Sequence, residues 1–220
     1  MRKLKYYSIF AVLGLAACGS SGSNDQVPMT RFNKALALTE QVGSLPGTRF
    51  DAIPMTGAAN FSGYGLMTTD ATPNKANDSV YMLGDANLRV DFGQGSVKGT
   101  VTNFRGARGN VTDINSNKSF DVGGRIDLGA DRSYIGDDPD EPADNLKPNE
   151  FYTSYSGELT VPGSTYIYTS GGLFGQFRGT TGNNAIKGLT ARDPENVDRA
   201  SNGRQTISDF EIVATNPAAP

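Results

Sequence analysis

Ala86-Asn87-Leu88-Arg89-Val90-Asp91-Phe92-Gly93-Gln94-Gly95-Ser96-Val97-Lys98-Gly99-Thr100-Val101-Thr102-Asn103-Phe104 alternates apolar and polar residues on both sides of a glycine-rich break. Ala86, Leu88, Val90 and Phe92 alternate with Asn87, Arg89 and Asp91. Gly93 to Ser96 offers a turn, and Val97, Gly99 and Val101 then alternate with Lys98, Thr100 and Thr102. A period of two on both sides of a Gly-rich turn predicts an antiparallel hairpin with one apolar and one polar face.

The same texture runs outward in both directions. Phe120, Val122, Gly124, Ile126 and Leu128 share a face, and alternation returns in residues 154–161, 166–178, 185–191 and 205–214, with residues 56–68 ahead of the hairpin. Turn residues separate these runs, which is the pattern of an all-β sandwich or barrel. The count predicts an antiparallel β-barrel of about eight strands, a size that either fills with its own side chains or encloses one small ligand. Gly63, Gly99, Gly123 and Gly175 lie inside strands and suit bends or close backbone approach. Lys, Arg, Asp and Glu alternate onto the outer face, where a lipid-embedded barrel would need an apolar band.

Ahead of the barrel, residues 29–46 predict a short N-terminal helix. Thr30 can cap it; Phe32, Ala35, Leu36, Thr39 and Val42 recur at helical spacing; Gly43 and Pro46 stop it. Such a helix either packs by one face on the outside of the domain, or plugs a barrel or meets a partner. Residues 18–28 are small and polar and read as a flexible tether. Residues 1–17 hold Arg2, Lys3 and Lys5 before an apolar run too short to span a bilayer, which is an export signal. Leu15-Ala16-Ala17-Cys18 resembles the lipobox of bacterial lipoproteins. That resemblance implies cleavage between Ala17 and Cys18, lipid on Cys18 Sγ, and effectively permanent anchoring. Gly19 after the cysteine favours the outer membrane by the sorting logic of such proteins.

Loss of the leader removes three cations and takes the formal charge from −3 to −6. An acidic body argues against nucleic acid as partner. There is one cysteine, so no internal disulfide can form. There is no histidine, which removes Ser-His-Asp and Cys-His nucleophiles and histidine metal sites. No enzyme activity, no cofactor and no metal are expected.

From about residue 55 to 215, residues 47–220 forming the domain, the chain resembles the β-barrels of transferrin-binding protein B. The motifs are Gly57-Ala58-Ala59-Asn60-Phe61-Ser62-Gly63-Tyr64, then Ala86 to Gly93 with Val97-Lys98-Gly99-Thr100. Gly171-Gly172-Leu173-Phe174-Gly175-Gln176-Phe177-Arg178-Gly179 and Ala185-Ile186-Lys187-Gly188 follow, resembling a segment Gly-x-Phe-Tyr-Gly-Pro-x-Ala-x-Glu-x-Gly-Gly. Arg178 stands where that family usually has Tyr, and Lys187 where Gly is usual. The resemblance implies a rigid barrel that meets partners by its loops, in a role linked to metal or iron acquisition.

Candidate binding residues cluster around an acidic loop, residues 136–145. Asp137, Asp138 and Asp140 lie in it, and Tyr134, Phe151 and Tyr152 flank it. The carboxylates do not follow an EF-hand, since Ala143 and Asn149 occupy the positions that need Gly and Glu. The aromatics are either rim anchors for a partner or closures of the barrel end. Residues 105–116, with Arg105 and Arg108, and residues 193–204, with Arg199 and Arg204, read as further polar loops. Three functions follow: a lipoprotein that binds a protein or small ligand through its loops, a lipocalin-like carrier, or a structural envelope protein. The carrier needs Ala86, Gly99, Gly124 and Gly175 to line an open interior; a barrel filled by Phe92, Phe120, Ile126 and Phe177 excludes it. The surface-exposed or periplasmic orientation stays open.

Overall fold

The structure, a computed structural model, describes residues 30–70, 79–137, 146–182, 184–190, 197–200 and 205–218. Cys18, Ala17, Asp138, Asp140 and most of residues 193–204 lie outside them. Helix α1 (Arg31–Ser44) is followed by strands β1 (Ala58–Asp70), β2 (Ser79–Asp91), β3 (Ser96–Arg108), β4 (Phe120–Ile135), β5 (Glu150–Val161), β6 (Ser164–Arg178), β7 (Ala185–Thr190), β8 (Val197–Ala200) and β9 (Gln205–Thr215). Each strand is antiparallel to its neighbour, and β9 returns to pair with β1, which closes the barrel. Nine segments make eight staves. β7 pairs with the 173–178 half of β6 and β8 with Tyr166 and Ile167, while both pair with β9, so they are two halves of one interrupted strand.

The opening hairpin forms as the alternation requires. Val90 pairs with Val97, and Ala86, Leu88, Val90, Phe92, Val97 and Val101 are buried while Asn87, Arg89 and Lys98 are exposed. Inside the barrel, Phe61, Phe92, Phe151, Tyr155, Tyr168, Phe177, Ile126 and Phe210 belong to one continuous core, with Phe120 packed against it. Ring contacts run through it: Phe92 to Phe177 at 5.7 Å, Phe151 to Phe177 at 5.5 Å, Tyr155 to Phe210 at 5.1 Å. Two inward glycines exist to admit these rings. A Cβ on Gly175 would lie 2.1 Å from its cross-strand neighbour Phe151, and one on Gly171 would lie 1.8 Å from Tyr155. Gly124 and Gly99 press against the backbone of adjacent strands rather than lining space. The described interior is therefore filled, and the carrier reading loses its premise.

Thr30 caps α1, its hydroxyl accepting from the amide of Asn33, and the helix buries Phe32, Ala35, Thr39 and Val42. It lies against the outside of the barrel. Phe32 and Ala35 pack on Leu66, Leu83, Ala107 and Ile114, and Val42 packs on Ala185 and Val213. The chain then turns to close one end of the barrel. Thr48 donates its amide to the Phe177 carbonyl, Asn149 Nδ2 donates to the Thr48 carbonyl at 2.7 Å, and Ile53 packs on the core. So it is this segment after the helix, not the helix itself, that caps an end.

Two expectations are corrected. Arg105 and Arg108 lie on β3, not in a loop, because β3 carries an extra residue at Asn103 (φ 54°) against β2, between the pairs Asp85 with Thr102 and Leu83 with Arg105, and the strand continues. Arg199 lies on β8.

Candidate functional site

β4 swells before the acidic loop. Between the pairs Leu128 with Tyr155 and Ser133 with Thr153, four residues of β4 face one of β5, and the Ser154 hydroxyl accepts the amides of Asp131 and Arg132 at 3.3 and 3.0 Å. This bulge carries Arg132 onto the outer face, its guanidinium carbon 5.5 Å from the Tyr134 ring centroid. Tyr134 stacks on its cross-strand neighbour Tyr152 at 5.2 Å, and Tyr152 meets Phe174 edge-on at 5.1 Å. Phe174 pairs with Leu189 on β7. The result is one row of outward side chains across four strands.

Phe151 does not join that row. Period two turns it inward, where it is 1% exposed, while its neighbour Tyr152 points out. The flanking aromatics thus divide: Phe151 packs inside the barrel, and Tyr134 and Tyr152 face outward. Tyr134 is itself 5% exposed beneath Arg132, so Tyr152 and Phe174 are the half-buried members. Asp137 is exposed where the acidic loop begins.

Beyond Phe174 the row opens into a cleft of about 290 Å³ that sequence reasoning missed. Its walls are Phe174, Leu189 and Leu146, with Glu150, Gln176, Arg178 and Lys187, and Gly43 at the end of α1. Arg178 and Lys187 are the two departures from the family pattern noted above. Arg178 Nη1 donates to the Leu45 carbonyl at 3.1 Å, tying the helix end to β6. Its Nε is buried with no acceptor, and no carboxylate among the described residues pairs with it. Lys187 Nζ lies 3.3 Å from Oε1 of Glu211, a carboxylate with no exposed surface. Glu150 Oε2 accepts the Lys147 amide at 3.0 Å. At the opposite end of the barrel, burial pushes the Tyr166 phenol above its ordinary range, opposed by Arg108 and Ser164.

Among the described residues no three His, Cys, Asp or Glu side chains gather as a metal site, and no helix is long and apolar enough to cross a membrane. What these elements define is a closed, ring-filled antiparallel barrel whose available chemistry lies on its outside. No protein-family model and no curated protein matches the chain. Among solved structures, the barrel is similar to transferrin-binding protein B, a vaccine antigen of Haemophilus parasuis, in two mutant forms. Identity is 13% in both, with TM-scores of 0.43 and 0.44 over 77% and 78% of this chain. It is also similar to the intact Ap-TbpB with its N and C lobes, at 14% identity and a TM-score of 0.40 over 77% of this chain. The chain spans 28–29% of the length of those solved chains.

Proposed function

We propose that this chain is a non-enzymatic binding lipoprotein, anchored to the outer membrane through lipid on Cys18, that captures a protein or small ligand with the outer surface beside its acidic loop. One observation carries the reading. The interior is filled with rings, whereas the row from Tyr134 to Leu189 and the adjoining cleft gather half-buried aromatic and charged groups at the end where the acidic loop leaves β4 and enters β5. Aromatic side chains beside charge are the usual anchors of a binding surface. Following the family resemblance, the task we assign is metal or iron acquisition. The similar solved chains are transferrin-binding by name, and a protein partner is in keeping with them. Absence of histidine throughout the chain supports binding without turnover.

Protease shaving of intact cells tests the anchoring, with Cys18→Ala beside the natural chain. The natural protein should stay with the membrane and the variant should be released. Loss of the natural form on shaving would mean it faces outward, and protection would mean it faces the periplasm. Partner capture is tested by Asp137→Lys with Tyr152→Ala, which should abolish co-purification of the partner while the melting temperature falls by only a few degrees. Unchanged capture would sink the assignment of this surface.

A further inference from the structure

The cleft itself says what chemistry would occupy it. Its lining is apolar at Phe174, Leu189 and Leu146 and cationic at Arg178 and Lys187. Arg178 is the group to account for. Nη1 is fixed on the Leu45 carbonyl and Nε is buried out of a ligand's reach, which leaves Nη2, without a hydrogen bond among the described residues, to meet one. A guanidinium N–H that meets a carboxylate makes a short, charge-assisted hydrogen bond.

Of the two cations lining the cleft, Arg178 alone has no carboxylate paired with it among the described residues, which favours an anion there. Lys187 adds a second positive charge, itself engaged with buried Glu211. Glu150, the one carboxylate lining the cleft among the described residues, accepts the Lys147 amide at the start of β5, and Gln176 also lines it. At about 290 Å³ the space is at the small end of the roughly 300–1,000 Å³ typical of ligand pockets. That suits a short body with one charged head.

We propose that this cleft is a binding site for a small apolar carboxylate, its alkyl or aryl body on Phe174, Leu189 and Leu146 and its carboxylate on Arg178. The inference rests on the reading of the chain as a binding protein and names the ligand class for one part of that surface. Two sources share the chemistry: a free organic acid, and the C-terminal carboxylate of a protein whose last residue is apolar.

Calorimetric titration of the full chain carrying Cys18→Ala, which needs no detergent, decides it. Hexanoate and phenylacetate are the probes, with hexanol and 2-phenylethanol as neutral counterparts. The acids should bind saturably and about tenfold or more tighter than the alcohols, the discrimination expected of a charge-assisted pair. Gly43→Trp should abolish binding of both without lowering the melting temperature, because a Cβ at Gly43 meets nothing within 4 Å and the indole has the cleft to fill. Arg178→Gln should bring the acids down to the affinity of the alcohols. A short peptide ending in Leu-Phe, as free acid and as amide, separates the sources. Acid-dependent binding about tenfold tighter than phenylacetate assigns a protein C terminus, and no such gain assigns a free acid. No saturation by any of the acids up to about 10 mM, equal affinity for acids and alcohols, or full binding by Gly43→Trp would each overturn the proposal. Because these titrations use purified protein, they can fail while partner capture by the acidic-loop surface holds, and the reverse.

Discussion

One belt of cross-strand neighbours runs around the outside of this barrel, and its two halves are treated differently. In order it passes Tyr134, Tyr152, Phe174, Leu189, Glu211, Leu66 and Leu83, each directly opposite the next. Leu66 and Leu83 are fully covered, because α1 lays Phe32 and Ala35 over them. Tyr152, Phe174 and Leu189 are only half-buried, because α1 ends at Ser44 and the chain leaves to cap the barrel end. The strands are alike; where the helix stops is what differs. An outward apolar residue under the helix belongs to the fold, whereas one beyond Gly43 keeps part of its surface open, where the proposed ligand would sit.

A matched pair of substitutions tests that division most severely. Leu83→Ala opens a hole under the helix and should lower unfolding free energy by about 3 kcal/mol, within the range for buried Leu→Ala. Leu189→Ala, the same chemical change on the uncovered half, should cost less than about 1 kcal/mol. Denaturant melts of the two proteins give both numbers, and equal losses would erase the distinction.

Glu211 stands at the boundary, with no exposed surface and Lys187 as its cation. Removing the cation strands a buried charge, the costly half of a broken ion pair. Lys187→Met should therefore destabilise by about 2 kcal/mol, less than a fully buried pair because Lys187 keeps some contact with water. Adding Glu211→Gln should recover part of the loss. An additive double variant would show that the pair does not couple the two halves.

How much of this was legible in the sequence depends on where the alternation stays in phase. The hairpin from Ala86 keeps its period through Val101 and was readable to the residue. At Asn103 one extra residue of β3 against β2 shifts the phase, so Arg105 and Arg108 look like loop residues although β3 carries them. The bulge of residues 129–132 does the same to β4 and hides the stretch that brings Tyr134 outward. Phe151 and Tyr152 look equivalent beside the acidic loop until β5 is known to begin at Glu150, which sends adjacent residues to opposite faces. The cleft could not be read at all, since it needs the register of β6 against β7 and the end point of a helix distant in sequence.

The helix is also pinned at its start. Arg31 Nη2 lies 2.6 Å from Asp85 Oδ1, and Asn103 Nδ2 donates to the other oxygen of Asp85 at 2.7 Å. Both partners retain contact with water, so Asp85→Ala should cost only about 1 kcal/mol. Its value lies in the readout: amide exchange should rise at the start of α1, over the covered half, and stay unchanged around Phe174. A rise in both places would mean that the helix steadies the whole belt.

The smallest effect concerns the last turn of the helix. Gly43 is helical and exposed, and a methyl added there would meet nothing within 4 Å, so Gly43→Ala should gain from a few tenths to about 1 kcal/mol through helix propensity alone. A methyl is too small to fill the cleft, so carboxylate binding should survive, in contrast with Gly43→Trp. Stability and occupancy are thereby separated at one position. If Gly43→Ala raised the melting temperature and also abolished binding, the cleft would depend on the mobility of the helix end rather than on its volume. If it lowered the melting temperature, the end of α1 would not be free, and the boundary between the covered and uncovered halves would have to be drawn elsewhere.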